Sequence, residues 1–135
     1  MADEIANQTV SVRKAPPAGA EMTLLIVDDD SPFRQRLARA MEKRGFIVAD
    51  VETVAEGLTI AHGGQPPAYA VVDLRLADGS GLDVVQALRE ARPDMRIIML
   101  TGYGNIATAV AAVKAGAVDY LSKPADADEI GRAHV

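Results

Sequence analysis

Cysteine is absent from the 135 residues, which excludes disulfides, a thiol redox sensor and a zinc–thiolate centre within the chain. An excess of positive charge is missing too. Fourteen Lys and Arg stand against 19 Asp and Glu, a formal net charge of −5, so there is no electrostatic footprint for nucleic acid or anionic lipid. No apolar run approaches membrane-spanning length, and the acidic start "MADEIANQTV" has no signal-peptide core. These absences lead to the expectation of a cytoplasmic protein without membrane contact. No G-x-x-x-x-G-K-[ST] run occurs either, so a P-loop does not supply phosphate from ATP. What remains, 49% hydrophobic and 24% charged residues, is the composition of one globular domain with a single core.

Along the chain, residues 1–22 are polar and carry "APPAG", which reads as a flexible leader. Strand and helix patterns then alternate. "LLIVD" (24–28) is an apolar run of strand length, with Ser31 as the expected N-cap and Pro32 as the first helical residue. In the helix that follows, Phe33, Leu37, Ala40, Met41 and Arg44 recur at helical spacing, and Gly45 is a natural stop. "FIVADV" (46–51) is a second strand, and Thr53 with Glu56 forms a capping-box pattern before "VAEGLTIAHG". "YAVVDL" (69–74), a turn-rich "RLADGSG" and a helix from about Leu82 come next, then "RIIMLT" (96–101) and "NIATAVAAVKAG". "VDYLSKP" (118–124) is the fifth strand, and Asp126 opens a fifth helix. Five β–α units with apolar strands predict an α/β, doubly wound parallel sheet covered by helices on both faces.

In such sheets ligands bind beyond the carboxyl ends of the strands, at the topological switch point. The polar residues collect there: Asp28 and Asp29 after the first strand, Asp73 near the end of the third, Thr101 after the fourth and Lys123 after the fifth. Helix capping accounts for Ser31 and Asp78, but a lysine cannot cap a helix N-terminus, and Asp73 lies too early to cap the helix near Leu82. A shared pocket is therefore the better reading. Two carboxylates about 4 Å apart repel by roughly 4 kcal/mol at an effective dielectric near 20. Three such pairs approach the stability of a whole domain. The cluster thus calls for raised pKa values or a bound cation. All-oxygen donors beside a phosphate suit Mg²⁺, and Lys123 opposite them suits a phosphoryl group.

"VDDD", "VVDLRLADGSGLDVV", "MLTGYG" and "DYLSKPAD", in this order and spacing, resemble the receiver domain of two-component response regulators over residues 23–129. "TGYGNIATAVAAVKAGAVDYLSKPADADE" is most like the RegA/ActR/PrrA type. The resemblance implies a flavodoxin-like strand order 2-1-3-4-5 and a regulatory switch rather than an enzyme. It implies that Asp73 is the phosphoacceptor and that Asp28, Asp29, Asp73 and the backbone carbonyl of Arg75 hold Mg²⁺. Thr101 and Lys123 would contact the phosphoryl oxygens, and Tyr120 would be the aromatic that swings inward on activation. Asp30 has no ligand role in the family and falls to the loop or helix start. The implied partner is a sensor histidine kinase. DNA would be reached only through a helix-turn-helix domain beyond this segment, and phosphorylation would drive a homodimer through the face of the fourth helix and fifth strand. The other reading is a stand-alone receiver acting in a phosphorelay or as a docking module.

The loop "LADG" lacks the proline common in the family, which should leave it looser; Arg75 and Tyr103 are expected to shield an acyl phosphate from water. "GYGNIA" (102–107) fits a dinucleotide fingerprint, yet it follows the fourth strand rather than the first, so it is set aside. A haloacid-dehalogenase-like phosphatase wants D-x-D-x-[TV], and Asp73 is followed by "LRLA". His62 and His134 share no spacing with the acids. Residues 130–135, "IGRAHV", are what ATC GGA AGA GCA CAC GTC encodes, a stretch of a common sequencing adapter. They are expected to be a non-native tail that truncates the fifth helix after Glu129 and leaves an apolar strip exposed beside the first and fifth strands.

Overall fold

The computed structural model describes residues 21–102, 106–123 and 125–133. The leader up to residue 20, Tyr103, Pro124 and His134 lie outside them. Five parallel strands, β1 (Thr23–Val27), β2 (Ile47–Val51), β3 (Tyr69–Asp73), β4 (Arg96–Thr101) and β5 (Asp119–Ser122), form one sheet in the order β2-β1-β3-β4-β5. Between and after them run α1 (Ser31–Lys43), α2 (Val54–Ala61), α3 (Gly81–Ala91), α4 (Ile106–Ala115) and α5 (Ala127–Ala133). The predicted doubly wound sheet and its 2-1-3-4-5 order are the observed ones.

Alternation along the strands builds two cores. Leu25 and Val27 face a cluster with Val54, Val84, Val85, Leu88 and Ala112, so α2, α3 and α4 share one side. Leu24 and Ile26 face Phe33, Leu37, Met41, Ala125 and Ile130, so α1 and α5 share the other. With strand side chains pointing alternately to opposite faces, a continuous apolar run is what a doubly covered strand requires.

Several helix ends differ from expectation. Asp30, not Ser31, is the N-cap of α1, its Oδ1 accepting from the Phe33 amide at 3.1 Å. On the buried face of α1, Ala38 takes the place expected of Ala40, and Arg44 is exposed, because the stripe follows Phe33, Leu37, Ala38 and Met41. Gly45 ends the helix at φ +97°, a left-handed conformation that favours glycine. The Thr53–Glu56 box is present: the Glu56 amide donates to Thr53 Oγ1 at 3.0 Å, and Glu56 Oε1 accepts from the Glu52 amide at 3.1 Å.

Asp78 does not cap the helix that follows it. Ser80 does that, accepting from the Leu82 amide, while the Asp78 carboxylate reaches back to the Val54 and Ala55 amides of α2 at 2.8 and 3.1 Å. Those two bonds hold its carboxyl below the usual range. The "RLADGSG" loop is also not loose. Arg75–Leu76 pairs antiparallel with Gly79–Ser80, and Asp78 ties the tip of this ribbon to α2.

The fifth helix is short, at seven residues, but it runs to Ala133 rather than stopping after Glu129. Asp126 and Glu129 cap it mutually, the Glu129 amide donating to Asp126 Oδ1 at 2.8 Å and the Asp126 amide to Glu129 Oε1 at 3.2 Å. Ile130 then falls on the inner face at 0% exposure, beside Leu24, Ile26 and Leu100. The expected bare strip along β1 is therefore covered. Ile130 completes that cover, together with Ala125 and the α1 side chains Phe33, Leu37 and Met41.

Ile130→Ala should accordingly cost about 2–4 kcal/mol, the range for truncating a buried isoleucine. Ile47→Ala on the edge strand, where the side chain is 72% exposed, should stay within about 0.5 kcal/mol. Urea unfolding reads both, through a midpoint shift at unchanged slope. Equal midpoints for the parent and Ile130→Ala would show that α5 does not close this core.

Candidate phosphoryl-transfer site

Parallel register sets the site. Val27 lies opposite Val72 and Asp73 opposite Leu100, while Thr101 pairs with Ser122. The chain leaves the sheet at Asp28, Asp73, Thr101 and Lys123 on one edge. Asp28 (0% exposed), Asp73 (6%) and Thr101 (1%) are buried, whereas Asp29 is exposed. One oxygen from each of Asp28, Asp29 and Asp73 lies within 4.8 Å of the others. Lys123 Nζ stands 2.9 Å from Asp28 Oδ2 and 3.5 Å from Asp73 Oδ2, and 4.9 Å from the centre of the Phe33 ring. Its backbone is fixed by donation from the Lys123 amide to the Thr101 carbonyl at 2.7 Å.

Asp73 is also fixed from behind. The Leu74 amide donates to the Leu100 carbonyl at 2.8 Å, and the Gly81 amide to the Leu74 carbonyl at 2.7 Å. A Cβ at position 81 would stand 2.0 Å from the Asp73 carbonyl oxygen, so α3 can start this close to β3 only on a glycine.

The electrostatics are those of an unfinished site. Burial, and then the Asp28 charge, push the Asp73 carboxyl up to about 6, against the pull of Lys123. Burial works against the Lys123 charge, yet Asp28 and Asp73 outweigh it and its pKa is raised. Asp28 Oδ2 is buried, and its one close partner among the described residues is the Lys123 ammonium at 2.9 Å. Three acids within reach of one another, two of them buried and with one ammonium among them, are a fitting place for a hard divalent cation. The donor set fits Mg²⁺.

The structure thus gathers Asp28, Asp29, Asp73, Thr101 and Lys123. Arg75, with an exposed side chain, follows two residues after Asp73 in the small ribbon. Tyr120 is half-buried on β5 opposite Met99, against the α2–α4 core. His62, exposed, caps the C-terminus of α2 away from the acids. Sequence reasoning missed two residues near the site. Phe33 was read only as core, although its ring faces Lys123, and Arg34 was not singled out. The one sequence signal for Arg34 was a charge next to a core phenylalanine, four residues after the acidic cap.

Because the neutral Asp73 is the form the fold favours, its stabilising contribution is full below 3.8, the ordinary value, and is lost as pH rises through about 6. In metal-free protein the Asp73 side-chain carbon should therefore titrate near 6 by NMR, and saturating Mg²⁺ should move the midpoint down. Asp73→Asn should remove this part of the pH dependence of stability. A metal-free midpoint at or below 4 would contradict the desolvated site.

Comparison with known proteins agrees with this geometry. The family model described as the response regulator receiver domain matches residues 24–134. The photosynthetic apparatus regulatory protein RegA of Cereibacter sphaeroides is 69% identical over 115 residues, covering 85% of this chain and 62% of RegA. The acid tolerance regulatory protein ActR of Rhizobium meliloti is 61% identical over 123 residues, covering 91% and 63%. The chain therefore spans about three fifths of the length of these curated relatives. A crystal structure of a response regulator from Burkholderia pseudomallei, with a phosphorylated aspartic acid, calcium ion and citrate, superposes with TM-score 0.81 at 42% identity, covering 85% of this chain and 67% of that one. With the acidic pocket at the switch point of a 2-1-3-4-5 sheet, the chain belongs to the response regulator receiver domain family.

Proposed function

We propose that the chain accepts a phosphoryl group on Asp73 from a sensor histidine kinase, in the cytoplasm, and passes the signal to a transcription-factor output. The observation that carries the reading is the gathering of Asp73, the Asp28–Asp29 pair and Lys123 at one sheet edge. An Asp73 carboxylate oxygen attacks phosphorus, the P–N bond of the phosphohistidine breaks, and its electron pair stays on the imidazole nitrogen, which takes up a proton. The product is an acyl phosphate. Lys123 and the Thr101 hydroxyl meet the phosphoryl oxygens as charge builds on them. Mg²⁺, held by Asp28, Asp29, Asp73 and the Arg75 carbonyl, supplies the remaining charge neutralisation when bound. Arg75, exposed and two residues beyond Asp73, is assigned the slowing of water's approach to the acyl phosphate.

Tyr120 and Thr101 form the switch in this reading, since they lie on the neighbouring strands β5 and β4. A homodimer formed on phosphorylation finds an apolar surface at α4 and the entry to β5, where Val110, Val113 and Val118 are 46%, 60% and 44% exposed. In this reading DNA contact is made by a separate helix-turn-helix output domain. No helix among the described residues is long and apolar enough to cross a membrane.

Incubation with Mg²⁺ and a small phosphodonor should add a single base-labile phosphate, seen by intact mass. Asp73→Asn should abolish it, and chelation should prevent it. Lys123→Ala should keep Mg²⁺ bound but uncouple phosphorylation from the Tyr120 environment. If Asp73→Asn labels as well as the parent, the phosphoacceptor assignment is wrong.

A further inference from the structure

Arg34 is a charged residue in the first turn of α1 that is only 8% exposed. Its Nε donates to Asp50 Oδ2 at 2.8 Å, and its Nη1 donates to the backbone carbonyl of Asp28 at 2.8 Å. The Asp28 amide is held from the other side, donating to the Val51 carbonyl at 3.1 Å, and Asp28 Oδ1 accepts from the Asp30 amide at 2.9 Å. The amide, carbonyl and Oδ1 of Asp28 are thus each committed. Oδ2 is the oxygen that faces Lys123 and the other acids, with the ammonium at 2.9 Å.

The geometry points to Arg34 as a positioning residue for the metal site: braced by Asp50, it fixes the main chain of the acidic loop so that Asp28 Oδ2 and the adjacent Asp29 stay within reach of Asp73. This inference rests on the reading of that pocket as the Mg²⁺ site. Only a guanidinium can do it from here. Its fork donates in two directions at once, to a carboxylate on β2 and to a carbonyl at the end of β1, whereas an ammonium on a flexible stem is a single point charge. Burying the guanidinium is tolerable because an anion and a carbonyl both accept from it. Asp50 lies on the edge strand, most of whose residues are exposed. The pair therefore ties the most solvent-exposed strand of the sheet to the loop that carries two metal ligands.

Mg²⁺ binding to the metal-free chain, read by calorimetry, tests this directly. Arg34→Lys, which retains the charge, should weaken Mg²⁺ about tenfold or more, as for other residues that orient metal ligands from behind. Asp50→Asn should weaken it less, and adding Asp50→Asn to Arg34→Lys should cost little more, because Asp50 acts through Arg34. Phosphorylation of Arg34→Lys by a small phosphodonor should recover at saturating Mg²⁺, which a general structural defect would not do. Should Arg34→Lys fail to melt cooperatively, Asp50→Asn carries the test alone. A folded Arg34→Lys, or in that event an Asp50→Asn, with the parent's affinity overturns the inference and leaves the phosphoacceptor reading intact. A parent that binds no Mg²⁺ overturns the metal reading and this inference with it.

Discussion

The Lys123 ammonium stands within 3.5 Å of both Asp28 and Asp73, and everything at the carboxyl edge of the sheet is arranged around that contact. One cation faces three carboxylates, so the balance is incomplete. The deficit appears in the Asp73 carboxyl, pushed up to about 6 by burial and by Asp28. It appears again in Asp28, fully buried and sharing the one ammonium with Asp73. Such an edge fits a divalent cation and, in the function proposed above, a phosphoryl group beside it. The Phe33 ring beneath the ammonium adds a further attraction that leaves the carboxylates free.

Holding like charges together demands a stiff frame. The sheet supplies it through apolar side chains that alternate between two cores, one under α2, α3 and α4 and one under α1 and α5. The loops that carry the acids are then tied to elements other than their own. Asp78 fastens the ribbon after Asp73 to the first turn of α2. Arg34 fastens the end of β1 to β2. Gly81 lets α3 begin against the Asp73 backbone. The Asp78 and Arg34 tethers join segments far apart in the chain, so the positions of the acids depend on the whole sheet edge and not on one turn.

Much of this was legible in the chain. Continuous apolar runs of strand length, separated by helical periodicity, define a parallel sheet because only doubly covered strands can be apolar on both faces. Acids and a lysine at strand ends mark the switch-point edge for the same topological reason. The capping box at Thr53 and Glu56 was readable because its two partners are three residues apart. Less visible was anything whose partner lies far along the chain. Asp78 looked like a cap for the next helix, yet it serves a helix 24 residues earlier. The tail "IGRAHV" looked unable to complete a helix, yet one side chain, Ile130, has the phase needed to reach the core.

By itself, then, the sequence determined the element order, the sheet class and the identity of the residues at its functional edge, because these follow from local periodicity and from the rules of parallel connection. The tertiary structure alone decided which oxygen of Asp28 faces Lys123, that Lys123 rests on Phe33, and that Arg34 spans Asp50 and the Asp28 carbonyl. Those outcomes turn on angles and separations of an ångström or two between groups that the chain brings together only by folding, and no spacing in the sequence encodes them.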